Sequence, residues 1–219
     1  MDHNTLSFAV ILAGCGNKDG AEIHESVLTL LNIDKAGHHY QCFAPDVPYA
    51  RVLNFLTNKE MTEKRNVLLE AARIARSRIK PLTDFRQEDF DILVMPGGNG
   101  VAHNLCTFAR DGDKMTVLPE VQRAVCSMHA AKKPIGALCI SPVIIAHLLK
   151  NVNVTFGQDE KINAIFQKTG ARTTNTDARS IVVDKNNKVV TTPCYMLDAR
   201  ISELNEGIEK LIQQLTRMV

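Results

Sequence analysis

The chain lacks any CxxC pair, any stripe of clustered lysine and arginine, any low-complexity tract and any apolar run long enough to span a bilayer. Each absence removes a class of function. Its six cysteines, at 15, 42, 106, 126, 139 and 194, lie far apart, and the close Cys/His pair Cys126 with His129 has no CxxC beside it to complete a zinc site. No metal is expected. Unclustered cysteines in a chain of 219 residues read as reduced thiols in a reducing compartment. The formal net charge of +2, with the basic residues scattered, leaves no electrostatic footprint for nucleic acid. The opening Met1-Asp2-His3-Asn4-Thr5 has no basic segment, and the apolar run 8–13 is too short for a signal core or a membrane span. A soluble cytoplasmic protein without a membrane partner is the expectation.

What is present is ordinary for a globular domain: 45% hydrophobic and 23% charged residues. A chain of this length buries roughly 70% of its unfolded surface and needs no staple, so one domain over residues 1–219 is expected. Residues 6–12 read as a buried strand ending in the turn Gly14-Cys15-Gly16. Asp19 is placed to cap the next helix, with apolar spacing at Ile23, Val27, Leu30 and Leu31, and Gly37 ends it. A strand at 39–44 completes a βαβ unit. A small hairpin arm at 51–56, a helix at 66–78 and a strand at 91–95 follow. Beyond them come a helix near 102–109, a helix at 119–131, a strand at 134–138, and a helix through Leu149 opened by Ser141-Pro142. Strands at 152–156 and 171–174 flank a helix at 160–169. A hairpin turns at Lys185-Asn186-Asn187, and an amphipathic helix at 196–218 closes the chain. The predicted architecture is α/β, three-layered, with helices on both faces of one mainly parallel sheet.

One segment carries most of the chemistry. In Lys133-Pro134-Ile135-Gly136-Ala137-Leu138-Cys139-Ile140-Ser141-Pro142 a buried strand runs directly into a helix with cysteine at the junction. Such an elbow points its side chain over the carboxyl edge of the sheet, where open α/β sheets bind ligands. The helix N-terminus offers free N–H groups and a positive dipole end, which favour thiolate and predict a depressed pKa at Cys139. Taken alone, a cysteine is more often a small buried apolar residue; the elbow context reverses that preference. Pro96-Gly97-Gly98-Asn99-Gly100 also follows a strand, and its glycines let backbone N–H groups approach an oxyanion. In Asp19-Gly20-Ala21-Glu22-Ile23-His24-Glu25 the two glutamates sit three apart, so one of them could reach the thiol. Both could equally be solvated first-turn acids.

Weaker signals complete the inventory. Gly14-x-Gly16-x-x-x-Gly20, with Asp46 after the second strand, faintly imitates a dinucleotide fingerprint, yet the spacing is wrong and Asp19 sits where a phosphate would approach. Cys15 could lie near Cys139 as a resolving thiol. His103 and His24 could reach the pocket, though surface positions suit both.

At these segments the chain resembles a known family. Residues 7–31, 56–65, 94–105, 134–142 and 189–196 are together similar to the enhancing-lycopene-biosynthesis (ElbB) branch of the PfpI and Parkinson-disease deglycase superfamily, within the class I glutamine-amidotransferase-like proteins. The resemblance implies a flavodoxin-like, amidotransferase-like fold with a nucleophile elbow. It implies Cys139 as nucleophile, Glu25 as a protonated carboxyl against it, and the N–H groups of Gly98 and Ile140 as the oxyanion site. Gly97, Asn99, Cys15 and Glu22 are further candidates for the pocket, with a buried turn position the favoured reading of Cys15. It further implies a homodimer acting without cofactor as a glyoxalase on glyoxal, giving glycolate, with a disputed deglycase activity. The alternative is a redox-sensing or partner-binding protein whose elbow cysteine oxidises. The chain departs from the wider superfamily in histidine: Ile140 follows the cysteine, Gly157 stands near where deglycase-type proteins carry a histidine, and Thr191-Thr192-Pro193-Cys194-Tyr195 offers no His-x-Glu. A glutaminase triad is therefore absent.

Overall fold

The computed structural model describes residues 5–219. The first four residues, read above for their lack of basic charge, lie outside the described residues.

Runs of continuously apolar residues supply the centre of the sheet. Strands β1 (Ser7–Ile11), β4 (Ile92–Met95) and β5 (Ile135–Leu138) are buried along nearly their whole length, as strands covered on both faces must be. The elements follow in chain order as β1, α1 (Ile23–Lys35), β2 (His39–Ala44), α2 (Val67–Ile74), β3 (Ile79–Pro81), β4, α3 (Phe108–Asp111), α4 (Pro119–Ala130), β5, α5 (Pro142–Leu149), β6 (Asn153–Val154), α6 (Glu160–Lys168), β7 (Arg172–Thr173), β8 (Val182–Asp184), β9 (Val189–Thr192) and α7 (Ile201–Thr216). Seven strands pair in the order β3-β2-β1-β4-β5-β9-β8. Every pairing is parallel except β8 with β9, and β6 and β7 form a small parallel pair of their own.

That order builds outward from β1 through β2 and β3, then returns to β4 and continues through β5 to β9. The carboxyl ends of β1 and β4 are therefore a topological switch point, the crevice where such sheets hold ligands. Helices α1, α2 and α7 cover one face, and α4 and α5 the other. Gly136 lets α7 settle directly on β5: a Cβ there would stand 2.7 Å from Leu215 Cδ1 and 3.1 Å from Leu211 Cδ2.

Local chemistry overrides several sequence expectations. The α1 cap is Glu22, whose carboxylate accepts the Glu25 N–H at 2.7 Å; Asp19 instead accepts the Leu53 N–H and anchors the 52–61 hairpin. Ile23, Val27 and Leu31 face solvent, while Glu25, Ser26, Thr29 and Asn32 turn inward with Leu30 and Ile33. Polar partners on α7 and in the site explain part of this inversion, since Asn32 hydrogen-bonds Asn205. Helix α2 stops at Ile74, and the chain reverses through Arg76 and Ser77 at positive φ into the short edge strand β3. The helix expected near 102–109 is a π-helical turn at Val101–Leu105 followed by the four-residue α3. Ser141 occupies the N-cap position of α5 as expected, but its hydroxyl makes no capping bond and donates to the Pro96 carbonyl. Helix α7 begins at Ile201, after a 3-10 turn at Cys194–Met196. The dinucleotide-like glycines admit side chains of this chain: Gly14 and Gly16, both at positive φ, pack against the rings of Tyr49 and Phe55.

Candidate active site

Four backbone segments meet at the carboxyl edge of β1, β4, β5 and β9. Cys139 leaves β5 with φ 58°, a left-handed conformation that a non-glycine residue holds only when its surroundings enforce it. The enforcement is visible: the Cys139 N–H donates to Thr192 O at 2.9 Å, the Ser141 N–H to Leu138 O at 2.9 Å, and the Ser141 hydroxyl to Pro96 O at 2.6 Å. The elbow is thus tied to β9 on one side and to the loop after β4 on the other.

The Glu25 side chain lies fully buried against this elbow. Its Oε2 accepts the Gly97 N–H at 2.9 Å and its Oε1 accepts the Tyr195 N–H at 3.2 Å. It also hydrogen-bonds the Cys139 thiol. Burial pushes the Glu25 carboxyl up to about 7, aided by the neighbouring charge of Glu22 and opposed by the bonds from Cys139, Tyr195 and Gly97. The Cys139 thiol is likewise held well above the ordinary thiol range, first by burial and then by the charge of Glu25. The N–H groups of Gly98 and Ile140 reach the sulfur and pull in the opposite direction. This corrects the expectation of a depressed thiol pKa. The helix-terminus N–H is present, but dehydration and a neighbouring carboxylate outweigh it. The pair shares protons as a unit.

A stability consequence follows, with a definite sign. Glu25 binds its proton more tightly folded than unfolded, so the folded state holds the extra proton between about 4.5 and about 7. The stability linked to it is fully present below the unfolded value and is lost as pH rises through the folded one. Denaturant unfolding should show the wild type losing about 3 kcal/mol between pH 4.5 and 8 relative to Glu25→Gln. Parallel profiles for the two proteins would contradict the buried carboxyl.

Close backbone approach leaves no room for side chains in the Gly-rich loop. A Cβ on Gly97 would collide with the Cys139 Cβ and lie 2.6 Å from Glu25 Oε2 and 2.9 Å from the sulfur. Gly98 has φ 100°, and a Cβ there would strike the Glu22 backbone N.

Above the sulfur opens a cleft of about 260 Å³ lined by Asn17, Glu22, Gly98, Asn99, Cys139, Ile140, Ile162, Tyr195 and Met196. Of the residues predicted for the site, Cys139, Glu25, Gly98, Ile140, Gly97, Asn99 and Glu22 are brought together here. Cys15 is not among the residues lining this cleft. It borders a separate cleft of about 540 Å³ with Glu63, Lys64, Arg65, Glu70 and Arg73. His103 lines a third cavity beside Cys106. His24 is exposed and meets the cleft only through Tyr195, its Nδ1 lying 2.9 Å from the phenol oxygen.

Sequence reasoning missed Tyr195 and Cys194. The buried Cys194 sits at φ 44°, and its thiol is pushed up by burial and by the nearby Glu25 and Cys139. The signal for both was the register of β9 beside β5, which sets Thr192 opposite Leu138 and delivers the next residues to the elbow. Among the described residues no group of three or more His, Cys, Asp or Glu side chains is gathered that could hold a metal ion, and no helix is long and apolar enough to cross a membrane.

Comparison with known proteins gives consistent results. A model of the DJ-1/PfpI family matches residues 15–197. The rat (Rattus norvegicus) ES1 protein homolog, mitochondrial, is 38% identical over 96% of this chain and 83% of its own length. The human (Homo sapiens) glutamine amidotransferase-like class 1 domain-containing protein 3, mitochondrial, is 37% identical over 96% of this chain and 82% of its own. An isoprenoid biosynthesis protein with an amidotransferase-like domain from Ehrlichia chaffeensis superposes with a TM-score of 0.92 at 38% identity, covering 98% of this chain and 99% of that one. The mitochondrial designation of both curated relatives overturns the expectation of a cytoplasmic chain. Unpaired thiols report a reducing milieu and do not distinguish one such compartment from another.

Proposed function

The chain belongs to the DJ-1/PfpI family, and from that premise we propose that it is a cofactor-independent glyoxalase-type enzyme of the ElbB branch, converting glyoxal to glycolate through a hemithioacetal on Cys139. The observation that carries this reading is the fully buried Glu25 carboxyl, held by the Gly97 and Tyr195 N–H groups beside the elbow thiol. The Ehrlichia protein, described as acting in isoprenoid biosynthesis, supports the branch.

The arrangement suggests a proton path. Because the thiol is raised, Glu25 as carboxylate removes its proton while sulfur bonds to one aldehyde carbon of glyoxal. The proton then passes to the new alkoxide, which the N–H groups of Gly98 and Ile140 are placed to stabilise. Glu25, again a carboxylate, takes the C–H proton of the hemithioacetal carbon, giving an enediolate, and the hydroxyl proton on that carbon shifts to the oxygen of the second. It returns that proton to the second carbon, which leaves a glycolyl thioester. Water adds to the thioester, and glycolate departs as sulfur recovers its proton. Glyoxal plus water equals glycolic acid, so no electrons enter or leave.

Rates in pure protein should rise with pH through about 7 as Glu25 ionises. Glu25→Gln should lower kcat/KM by about 100-fold or more and remove that inflection. A pH-independent rate in the wild type, or full activity in the variant, would sink the scheme. The row of exposed Ile23, Val27 and Leu31 on α1 supports action as a homodimer.

A second reading, a redox-sensing protein, is favoured by the absence of histidine from the cleft lining. It calls for glyoxal turnover at buffer background together with stoichiometric oxidation of Cys139 by peroxide.

A further inference from the structure

The cleft over Cys139 is walled by one carboxylate, two carboxamides, one phenol and the apolar chains of Ile140, Ile162 and Met196, with no lysine, arginine or histidine among them. The carboxylate is that of Glu22. Its Oε2 is fixed on the Glu25 N–H at 2.7 Å, so the group is held in place at the first turn of α1. Glu22 is only 8% exposed, which limits the water available to screen it. Its charge bears on another carboxyl, that of Glu25.

We propose that Glu22 sets the substrate class of this cleft: neutral and cationic carbonyl compounds enter, and carboxylates and phosphates are turned away. The inference rests on the reading of Cys139 as the nucleophile and extends it to specificity. Two like charges about 5 Å apart at an effective dielectric of about 20 repel enough to weaken binding on the order of a hundredfold. Rejection built from such a repulsive element discriminates isosteres that shape alone cannot. Asn17 and Asn99 meanwhile offer N–H donors to the oxygens of an uncharged substrate. The N–H groups of Gly98 and Ile140 face the sulfur, so negative charge is accommodated only where the reaction creates it. One carboxylate then serves twice: it excludes glyoxylate, the acid analogue of glyoxal, and it repels glycolate once the thioester is hydrolysed.

Alkylation tests this without requiring turnover. Iodoacetamide and iodoacetate are near isosteres of opposite character, one neutral and one anionic. Each reacts as sulfur displaces iodide. Rates at Cys139, resolved by peptide mass spectrometry, are compared with those at the exposed Cys126 of the same chain and with 2-mercaptoethanol. The amide-to-acid rate ratio at Cys139 should exceed both references at least tenfold. In Glu22→Gln, whose amide oxygen can still accept the Glu25 N–H, the ratio should fall about fivefold or more. A ratio matching the references, or one unchanged in Glu22→Gln, would overturn the assignment. Inertness of Cys139 to both reagents would overturn it together with the glyoxalase reading. A protein that discriminates between the reagents yet consumes no glyoxal would sink only the glyoxalase reading.

Discussion

Cys139→Ala should reduce glyoxal consumption to the buffer background, a loss of about 10³-fold or more, with the fold intact. The expectation has two parts. The proposed carbon–sulfur bond needs the Cys139 sulfur, which Glu25 cannot replace, being fully buried behind the thiol and engaged by two backbone N–H groups. Alanine meets the same backbone demand as cysteine at φ 58°, so the elbow gains no new strain. The thermal midpoint should therefore move by only a few degrees. Cys15→Ala, in the separate cleft beside Arg65 and Arg73, should retain activity. Substantial turnover by pure Cys139→Ala protein would remove the nucleophile from the mechanism altogether.

The second large effect is expected at a residue with no functional group. In Gly97→Ala the new methyl collides with the Cys139 Cβ, an atom that no rotamer change can move, as well as crowding Glu25 Oε2. Either the loop after β4 or the elbow must shift. Overpacking of this kind costs about 3 kcal/mol, which in a chain of this size lowers the midpoint by roughly 6–12 °C. The chemistry suffers separately, because the Gly97 N–H orients Glu25. A displacement of about 1 Å between base and nucleophile is worth about 100-fold in rate. Differential scanning calorimetry and steady-state kinetics read the two losses independently. A Gly97→Ala protein with unchanged midpoint and unchanged kcat would show that the loop is slack, contrary to the packing described.

The scaffold was legible in the sequence where burial is complete. Strands β1, β4 and β5 are covered on both faces, so they read as uninterrupted apolar runs. The edge strand β3 was not legible, because Ile79-Lys80-Pro81 is short and half-buried and carries no such run. The inward face of α1 misled for a different reason. Glu25 is buried by its place at the site and Ser26 and Thr29 turn inward on the same face, whereas Ile23, Val27 and Leu31 lie outside. Periodicity assumes that apolar residues face the core, and functional helices break that assumption. The grouping of Cys139 with the Gly-rich loop followed from both lying at strand carboxyl ends. The direction of its proton affinity did not follow, since that depends on burial and on a carboxyl from a distant segment. Tyr195 and Cys194 were illegible for the same reason, as only the pairing of β5 with β9 brings them in.

That pairing has a consequence for biosynthesis. The elbow donates its N–H to the Thr192 carbonyl, and Glu25 accepts one from Tyr195, so segments far apart in the sequence must all be present before the site exists. A ribosome makes the cysteine first and β9 afterwards, on the order of several seconds later. During that interval the nascent polypeptide carries an elbow thiol without the late-arriving backbone contacts that fix the carboxyl against it, and the site is complete only once residues 192–195 have been made.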